Sequence, residues 1–545
     1  MRRAAILGLA GVSLLLFAGG SAATSAPAKT HWRGTKAALP ANAATGANEE
    51  VSINSVSCAS AGNCAAVGTY EDKSGFEQGL LLTEKTAKWR SGVETAVPAN
   101  AAPIPGVQLN SVSCASAGNC VAVGSYQVAA GGEAGLLLTE KAGRWATGVE
   151  AALPANSASH PLVVLDSVSC ASAGNCSAVG SYEDNSGPEE GLLLTEKAGM
   201  WGTGVEAALP ENTDGARLNS VSCASAGNCS AVGTSGENGL LLTERSGKWQ
   251  TGVEAVLPQN AIPGQPVSLT SISCASAGNC SAVGTYNDDD GSKDLTTPRG
   301  LLLTEKAGTW RAGVEAVPPA NSATGGDYQV DVDSVSCGSA GNCVAVGTYN
   351  HGPGNIQGLL LTETGGKWRR GLEAALPRNA NHPELQEEDV YLSSVSCASP
   401  GNCTAAGGYT DNSREDRGLL VTETAGRWAR GLEAALPSRA DSPAGLAPVS
   451  CASPGRCAAA GRYGPYITQG LLLDSTPNPC VVPRLKGKTL PAAKLSIESH
   501  DCSVGRIRHV ASQRVTRDHV ISQHPKPGRQ LPLGAKVSLV VSTGR

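Results

Sequence analysis

The cysteines are the residues whose type and spacing most clearly suggest chemistry. Sixteen of the 18 form eight pairs with five residues between partners, and the other two, Cys480 and Cys502, lie in the C-terminal tail. Structural zinc sites usually have Cys-x2–4-Cys spacing and further ligands, whereas no histidine recurs beside these pairs. We therefore interpret each pair as a local disulfide, which suits an oxidising compartment. The pairs are Cys58/Cys64, Cys114/Cys120, Cys170/Cys176, Cys223/Cys229, Cys274/Cys280, Cys337/Cys343, Cys397/Cys403 and Cys451/Cys457.

Each cysteine pair belongs to a cassette that recurs along the chain. It reads Ser-Val-Ser-Cys-Ala-Ser-Ala-Gly-Asn-Cys, Ala-Val-Gly-x-Tyr, a variable loop, Gly-Leu-Leu-Leu-Thr-Glu, and Trp-x-x-Gly-Val-Glu-Ala-x-Leu-Pro. In the second copy this pattern predicts four strands joined by short turns that contain Gly or Asn. The leucine run predicts a third strand buried on both faces. The predicted strands are 109–114, 120–126, 135–140 and 145–153.

The last cassette is split between the two ends of the cassette region. Residues 448–474 lack the tryptophan segment, which stands instead at residues 31–41. We expect the two pieces to join, because an open end would expose a large apolar face. The sequence therefore predicts an all-β fold, an eight-bladed β-propeller over 31–474 with blade 8 made of 448–474 and 31–41. A β-solenoid is the alternative, although solenoids usually have shorter repeats and need no split copy.

The N-terminal segment predicts the cellular location of the protein, and its net charge limits its partners. Residues 1–26 have a basic start, a short apolar run and small residues, which is typical of a secretory signal peptide. No other stretch is apolar enough to span a membrane. The formal net charge is −5 and the cassettes contain no basic run, so we do not expect nucleic acid as a partner. We predict a secreted protein.

The variable segments predict where a ligand binds. The turns between strands one and two and between strands three and four are nearly uniform, whereas the loops between strands two and three differ in length and composition. We expect a glycan or protein ligand on the variable face. The acidic segment 287–292 is interpreted as a solvated loop, and calcium binding there is left open.

Two glutamates recur in the cassettes, and we interpret both as exposed charges that prevent edge-to-edge strand pairing. One set lies in strand four, with Lys36 at the corresponding place in blade 8. The other ends strand three, from Glu84 to Glu423. The strand-four set is Glu94, Glu150, Glu206, Glu254, Glu315, Glu373 and Glu433.

The turn at 139–145 resembles the Asp-box hairpin of sialidase-type propellers, but Lys or Thr replaces the aspartate. That resemblance implies a tyrosine paired with a glutamate, an arginine triad and an acidic aspartate at an active site. Tyr70, Tyr126 and Tyr182 are cassette residues and are interpreted as packing. Our hypothesis is a binding or scaffold protein that is not an enzyme and has no catalytic, cofactor or metal site. The alternative is a wall-tethered glycoside hydrolase.

The tail after the linker 475–479 has a different pattern. It contains Val482-Pro-Arg-Leu-Lys-Gly-Lys-Thr-Leu490, Val520-Ile-Ser-Gln-His-Pro-Lys-Pro-Gly528 and Gly534-Ala-Lys-Val-Ser-Leu-Val-Val-Ser542. These motifs closely resemble those of the PASTA domain. The resemblance implies a small α+β domain over 480–545, with a helix near 489–499 against a three-stranded sheet and a Cys480–Cys502 link. It also implies binding to peptidoglycan or another cell-wall polymer, which the basic residues of the tail would favour.

Overall fold

A computed structural model describes residues 30–544 except 212, 290–295, 325–327, 353–354, 381–387, 439, 441–443, 466–467, 478–479, 499, 501 and 532–534. The predicted signal peptide, 1–26, therefore lies outside the described residues. Backbone contacts divide the chain into a unit within Lys29–Pro477 and a unit within Asn478–Arg545. The one α-helix of the described residues belongs to the second unit, and none of the described helices is long and apolar enough to cross a membrane.

The first unit consists of propeller-like repeats, numbered 1 to 8 here by their cysteine pairs. In each, three long antiparallel strands and a short outer strand form a sheet. The first strands are Val51–Ser60, Gln108–Ser116, Val163–Ser172, Arg217–Ser225, Ser268–Ser276, Val330–Ser339, Glu388–Ser399 and Ala444–Ser453. The second strands are Asn63–Glu71, Asn119–Gln127, Asn175–Glu183, Asn228–Ser235, Asn279–Asp289, Asn342–Gly352, Asn402–Thr410 and Arg456–Tyr463. The third strands are Glu77–Thr83, Glu133–Lys141, Glu189–Lys197, Asn238–Arg245, Thr296–Lys306, Asn355–Thr362, Asp416–Thr424 and Gln469–Pro477.

The outer strand is interrupted in repeats 1 to 7 and continuous in repeat 8. In repeat 2 it consists of Arg144–Trp145 and Val149–Glu150, whereas the sequence predicted one strand over 145–153. The interruption arises because Gly148 N–H donates to Ala96 O of the preceding linker at 2.7 Å. The other interrupted outer strands include Val93–Glu94, Met200–Trp201 with Val205–Glu206, Lys248–Trp249 with Val253–Glu254, Thr309–Trp310 with Val314–Glu315, Leu372–Glu373, and Arg427–Trp428 with Leu432–Glu433.

The N-terminal strand Thr30–Lys36 is the outer strand of repeat 8. It pairs antiparallel with Gln469–Pro477, with Trp32 opposite Ser475. The sheet therefore combines the first described residues of the chain with the last residues of the repeat region, as the split cassette predicted.

The tight turns explain the uniform cassette sequence. Between strands three and four of repeat 2, Ala142 and Gly143 both have positive φ, at 51° and 79°. Two consecutive positive φ values are typical of a type I′ turn, whose twist matches that of the strands it joins. In the second strand, an added Cβ on Gly124 would lie 1.8 Å from Gln108 O, so a side chain does not fit there.

The hydrophobic core lies between neighbouring sheets. Leu136, Leu137 and Leu138 of repeat 2 are at most 2% exposed, because Leu136 and Leu138 pack towards repeat 1 and Leu137 towards repeat 3. The same arrangement joins repeat 8 to repeat 1, where Leu472 packs with Ile53. A strand covered on both faces needs a continuous apolar run, as the leucine triplet predicted.

One hydrogen bond recurs at each contact between first strands. Cys114 N–H in repeat 2 donates to Ser57 Oγ of repeat 1 at 3.0 Å, and Cys58 N–H in repeat 1 donates to Ser450 Oγ of repeat 8 at 3.0 Å. The corresponding donors and acceptors are Cys170/Ser113, Cys223/Ser169, Cys274/Ser222, Cys337/Ser273, Cys397/Ser336 and Cys451/Ser396. The first strand of each repeat is therefore bonded to the first strand of the repeat before it.

The second unit is a small α+β fold. Its helix, Leu490–Glu498, carries Ala493 and Ile497 into a core with Val482, Leu485 and Val520. The strands are Cys480–Val481, Ser503–Val510, Val520–His524, Gln530–Leu531 and Lys536–Ser542. Lys536–Ser542 lies between Ser503–Val510 and Val520–His524, parallel to the first and antiparallel to the second.

Candidate functional site

The repeats present two ends with different chemistry. At one end, here called the hairpin end, lie the turns between strands one and two and between strands three and four. Gly143 N–H of the second kind of turn donates to Gly118 O of the first kind at 2.9 Å. At the other end, here called the loop end, lie the loops between strands two and three and the links between repeats. There Ala102 N–H of a link donates to Gln127 O at 2.9 Å.

Eight disulfides stand at the hairpin end, one in each repeat. Each joins the two cysteines of a pair across the first turn, with S–S distances of 2.00 to 2.10 Å. The ninth, Cys480 with Cys502, lies in the C-terminal unit, and no free cysteine is found among the described residues. The eight bonded pairs are Cys58 with Cys64, Cys114 with Cys120, Cys170 with Cys176, Cys223 with Cys229, Cys274 with Cys280, Cys337 with Cys343, Cys397 with Cys403, and Cys451 with Cys457.

The cysteines form crosslinks and stand apart from the larger grooves of this end. The second cysteine of each pair begins the second strand between two sheets, so its exposed fraction is only 2% to 6%. The described linings of the two larger grooves, given below, contain no cysteine. The predicted cysteines therefore have a structural role as buried crosslinks, as Cys64, Cys280, Cys343, Cys403 and Cys457 illustrate.

The glutamates that end strand three are buried, which corrects the expectation that they are exposed charges. Their exposed fractions lie between 1% and 4%. They point inwards because the next turn and the neighbouring repeat cover the end of strand three, and sequence spacing alone does not reveal this cover. The set is Glu84, Glu140, Glu196, Glu244, Glu305, Glu363 and Glu423.

A polar contact links a buried glutamate to the preceding repeat. Thr83 Oγ1 donates to Glu140 Oε1 at 3.0 Å and accepts from Trp145 Nε1 at 3.2 Å. In repeat 8, Asp474 takes the position of this threonine and accepts from Trp89 Nε1 at 3.1 Å. Burial, with repulsion from Asp474, raises the pKa of Glu84 to about 7. Burial likewise raises the pKa of Glu140.

Grooves run between successive repeats at the hairpin end. The groove between repeats 1 and 2 has a volume of 730 Å³ and is lined by Leu81, Val93, Arg90, Arg144 and Trp145. The equivalent groove between repeats 5 and 6 has a volume of 620 Å³, and its lining includes Leu302, Val314, Arg311, Lys367, Trp368, Arg369 and Arg370. Each groove therefore combines one half-buried indole, aliphatic side chains and several cations with one glutamate, which is Glu84 in the first groove and Glu315 in the second.

The loop end is organised by a buried tyrosine in most repeats. In repeat 2, Tyr126 is fully buried, and its hydroxyl contacts Asn100 Oδ1 at 3.0 Å and Glu150 Oε2 at 3.2 Å. Burial and the Glu150 carboxylate raise the pKa of Tyr126 to about 12. The strand-four glutamates thus hold the links between repeats as well as lying on the outer strand. The same triad is Tyr70/Asn42/Glu94, Tyr182/Asn156/Glu206, Tyr286/Asn260/Glu315, Tyr349/Asn321/Glu373 and Tyr409/Asn379/Glu433.

The variable loops are held mainly by their own aspartates and arginines. Asp72 Oδ1 accepts from Ser74 N–H at 2.8 Å, and Asp411 Oδ2 lies 2.7 Å from Arg417 Nε. Arg299 bonds to Asp288 at 2.8 Å and lies 3.8 Å from the centre of the Tyr328 ring. These contacts order the loops from within, while other carboxylates of the loop end, such as Glu77, Glu211 and Glu237, are exposed.

The candidate calcium segment 287–292 lies partly outside the described residues, from 290 onwards. Among the residues that the structure does describe, no group of three or more His, Cys, Asp or Glu side chains is placed to hold a metal ion.

The C-terminal unit has a folded core and an exposed basic surface. Gln523 bridges two segments, since its Nε2 donates to Pro483 O at 2.8 Å and its Oε1 accepts from Leu485 N–H at 2.7 Å. Arg506 and Arg508, both exposed, flank Ile507 on an outer strand of its sheet. The motif residues thus hold the fold, while the cations remain on the surface.

Comparison with solved structures finds distant likenesses. YCF48 from Cyanidioschyzon merolae matches at 12% identity and a TM-score of 0.36, covering 69% of this chain and 97% of that one. A polysaccharide lyase described as an ulvan lyase matches at 9% identity and a TM-score of 0.37, covering 81% and 95%. Trypanosoma rangeli sialidase matches at 11% identity and a TM-score of 0.32, covering 77% and 58%. A search of curated proteins gave no match.

The family comparison identifies one part of the chain. Residues 481–543 match the model of the PASTA domain, and they coincide with the helix and the three-stranded sheet of the C-terminal unit. The match covers the same motifs that the sequence analysis singled out. Residues 481–543 are therefore a PASTA domain.

Proposed function

We propose that this is an exported, non-catalytic binding or scaffold protein that attaches to the cell wall through its PASTA domain. The single observation that carries the proposal is the PASTA match over residues 481–543, together with the α+β fold of that segment. PASTA domains are associated with peptidoglycan. The repeats then form the larger part of the protein that the domain holds at the wall.

The charge of the PASTA domain supports attachment to a polymer that carries carboxylates. Arg484, Lys486, Lys488, Arg506 and Arg508 are exposed. Exposed cations attract an anionic polymer over about 8–10 Å at physiological salt, and the attraction weakens as salt rises. Peptidoglycan stem peptides end in carboxylates, which match this surface.

The nine disulfides support export to an oxidising compartment, because such crosslinks are rare in reducing cytosol. The predicted signal peptide, 1–26, is part of the same proposal. Proteomics of a culture fractionated into cytosol, wall and medium tests it, with the mature N-terminus expected after residue 23 to 26 of the sequence.

The repeats act in this proposal as a closed ring of eight blades. Two contacts support closure: Thr30–Lys36 pairs with Gln469–Pro477, and Ser450 of repeat 8 accepts the same hydrogen bond from repeat 1 that joins the other repeats. A closed ring leaves only the short outer strands as sheet edges, which limits edge-to-edge aggregation at the cell surface.

The state of the tyrosines favours a non-catalytic role. Tyrosine and glutamate do lie within hydrogen-bond distance in several repeats, as at Tyr126 and Glu150. However, a nucleophilic tyrosine needs access to substrate and a lowered pKa, whereas Tyr126 is fully buried and its pKa is raised. These pairs are better explained as anchors of the links between repeats.

Retention on purified peptidoglycan tests the proposal. The full chain should sediment with peptidoglycan stripped of its anionic polymers, and Arg506→Glu with Arg508→Glu should reduce retention several-fold. The matched control is Lys73→Glu with Arg378→Glu, which reverses the same number of exposed cations at the loop end. It should leave retention unchanged. Equal retention of all variants and of heat-denatured chain would remove the basis of the proposal. Turnover of any substrate in a glycan panel would replace it with the hydrolase alternative.

A further inference from the structure

The exposed charge of the repeats is separated between their two ends. Every repeat carries at least one exposed lysine or arginine at the hairpin end. The number ranges from one in repeat 3, Lys197, to three in repeat 1 and in repeat 6, where the three are Lys367, Arg369 and Arg370. These cations are scattered singly or in pairs along the sequence, so the cassettes show no basic run. The fold brings them onto one end of the unit.

The carboxylates at the same end are withdrawn from the surface. Over the described turns of the hairpin end, the acidic residues are the buried glutamates and the half-buried Asp474, whose carboxylate accepts from Trp89 Nε1. A buried carboxyl with a raised pKa, such as Glu84, also carries less negative charge at neutral pH than an exposed one. The hairpin end is therefore cationic although the whole chain has a net charge of −5.

The grooves between repeats add an apolar component to this charge. In the groove between repeats 5 and 6, the half-buried Trp368 and the exposed Val314 lie among Arg311, Lys367 and Arg369. The carboxylate in this lining, Glu315, accepts hydrogen bonds from Tyr328 and Asn260. An indole with neighbouring aliphatic groups fits the C–H face of a sugar ring, and a guanidinium group fits a carboxylate or phosphate. The groove between repeats 1 and 2 has the same composition.

We infer that the hairpin end binds a glycan polymer that carries carboxylate or phosphate groups along its chain, with the groove at Arg311, Lys367, Trp368 and Arg369 as its main subsite. The groove between repeats 1 and 2 offers a second, similar subsite, so a polymer that contacts both grooves gains avidity. The inference deepens the proposed function, because it gives the repeats a wall-polymer ligand separate from that of the PASTA domain.

The tryptophans favour a glycan over a nucleic acid. Base stacking needs an open aromatic face, whereas these indoles are half-buried, and Trp145 Nε1 is directed towards Thr83 of the preceding repeat. A sugar ring needs only the accessible part of such a ring together with the aliphatic wall of the groove. Polyglutamate and single-stranded DNA nevertheless serve as competing probes.

Binding of the full chain to defined soluble polymers tests the inference. The probes are polygalacturonate for carboxylates, poly(glycerol phosphate) teichoic acid for phosphates, and dextran as a neutral glycan. We expect binding to at least one anionic glycan at about 50 mM salt, with affinity falling at about 300 mM salt, and no binding to dextran. No binding to either anionic glycan would overturn the inference, as would tighter binding to polyglutamate or DNA than to both.

Charge reversal locates the site. Arg311→Glu, Lys367→Glu and Arg369→Glu together should lower the affinity for the bound polymer at least tenfold. The matched control reverses three exposed cations near the loop end, Lys73, Arg378 and Arg462, and should change affinity less than twofold. An equal loss in both triple variants would overturn the proposed location.

The PASTA domain needs its own control because it is also basic. Reversal of Arg484, Arg506 and Arg508 should leave most of the polymer affinity, whereas a loss confined to this variant would assign the binding to the PASTA domain and overturn the inference. The hairpin-end variant should still be retained by peptidoglycan without anionic polymers. That measurement separates failure of this inference from failure of the proposed wall attachment.

Discussion

The hairpin end and the loop end are built from the same cassette but use its residues differently. At the hairpin end, residues that recur in most repeats face inwards: the disulfides, the buried glutamates and the N–H of Trp145 contact their neighbours. The residues that vary there, such as Arg144, Met200 and Lys367, face solvent. At the loop end the recurring triads are internal too, but the variable loops combine a few ion pairs of their own with exposed carboxylates such as Glu77 and Glu237.

The proposed glycan binding would use the short, uniform turns of the hairpin end and not the variable loops. The variation in loop length favoured binding at the loop end when the sequence was considered alone. Small differences at fixed turn positions, however, change the surface charge without disturbing the backbone. A repeat fold therefore offers a way to tune a broad surface one side chain at a time.

The largest expected effect comes from the crosslinks, which the hairpin end has and the loop end lacks among the described residues. Closing a loop of about seven residues with a disulfide contributes about 2 kcal/mol on the chain-entropy model. Full reduction with dithiothreitol should therefore lower the free energy of unfolding by more than about 5 kcal/mol. A fall in the melting temperature would report this loss. A single pair removed by Cys114→Ser and Cys120→Ser should cost about 2 kcal/mol. An unchanged melting temperature in the reduced protein, with free thiols verified by a thiol assay, would contradict this view of the hairpin end.

The second effect is a pH dependence that originates at the hairpin end. Burial raises the pKa of Glu84 from its usual 4.5 to about 7, so the folded state binds more protons than the unfolded state between these values. Stability is then highest below about pH 4.5 and falls as pH rises to about 7, by at most about 3 kcal/mol for this group. Glu84→Gln should remove that contribution and raise the melting temperature at pH 8.

The matched control for the pH effect is Lys85→Gln, which introduces the same amide at the exposed neighbouring position. This variant should keep the decrease in the free energy of unfolding between pH 5 and pH 8. Urea unfolding at each pH measures that decrease. If Glu84→Gln and the parent chain show the same slope over this range, the buried carboxyl is not the source of the pH dependence.

The third effect tests the loop end. Tyr126→Phe removes the hydroxyl that lies between Asn100 and Glu150 while keeping the buried ring. We expect a loss of about 2 kcal/mol in the free energy of unfolding, because one hydrogen bond to a charged acceptor is lost. Repeat 4 is a natural reference, since Ser235 stands at the tyrosine position there, and Ser235→Ala should cost less. A cost for Tyr126→Phe below that of Ser235→Ala would show that the triad does not hold the link.

Much of the fold could be predicted from the sequence because it depends on local patterns. Cysteine spacing, turn glycines and the leucine run fix the hairpins, and the split cassette indicates where Thr30–Lys36 pairs. The PASTA motifs likewise predicted the helix, observed at Leu490–Glu498. These features are read from neighbouring residues, and the structure changes their bounds by only a few positions.

The burial of Glu140 and the basic hairpin end could not be predicted in this way. Glu140 is bonded to Thr83, which lies 57 positions away in the preceding repeat and also accepts from Trp145 Nε1. Glu140 is therefore buried only when two repeats pack together. The cations of the grooves are likewise separated in sequence, as Arg311 and Lys367 show. Their proximity is a property of the packing between repeats.

The smallest expected effect on stability is also the one that separates fold from function at the hairpin end. Lys367→Glu changes an exposed side chain of the turn, and surface substitutions of this kind usually alter the free energy of unfolding by no more than about 0.5 kcal/mol. Lys248→Glu is the matched control, because the exposed Lys248 also directly precedes the tryptophan of its turn, in repeat 4, where the uncharged Gln250 stands at the position of Arg369. In urea titrations both variants should unfold with the parent chain, while Lys367→Glu alone weakens polyanion binding several-fold, since its groove holds the denser cluster of cations. Equal weakening by the two variants would mean that the whole hairpin end acts as a uniform charged surface, and that the groove between repeats 5 and 6 has no special role.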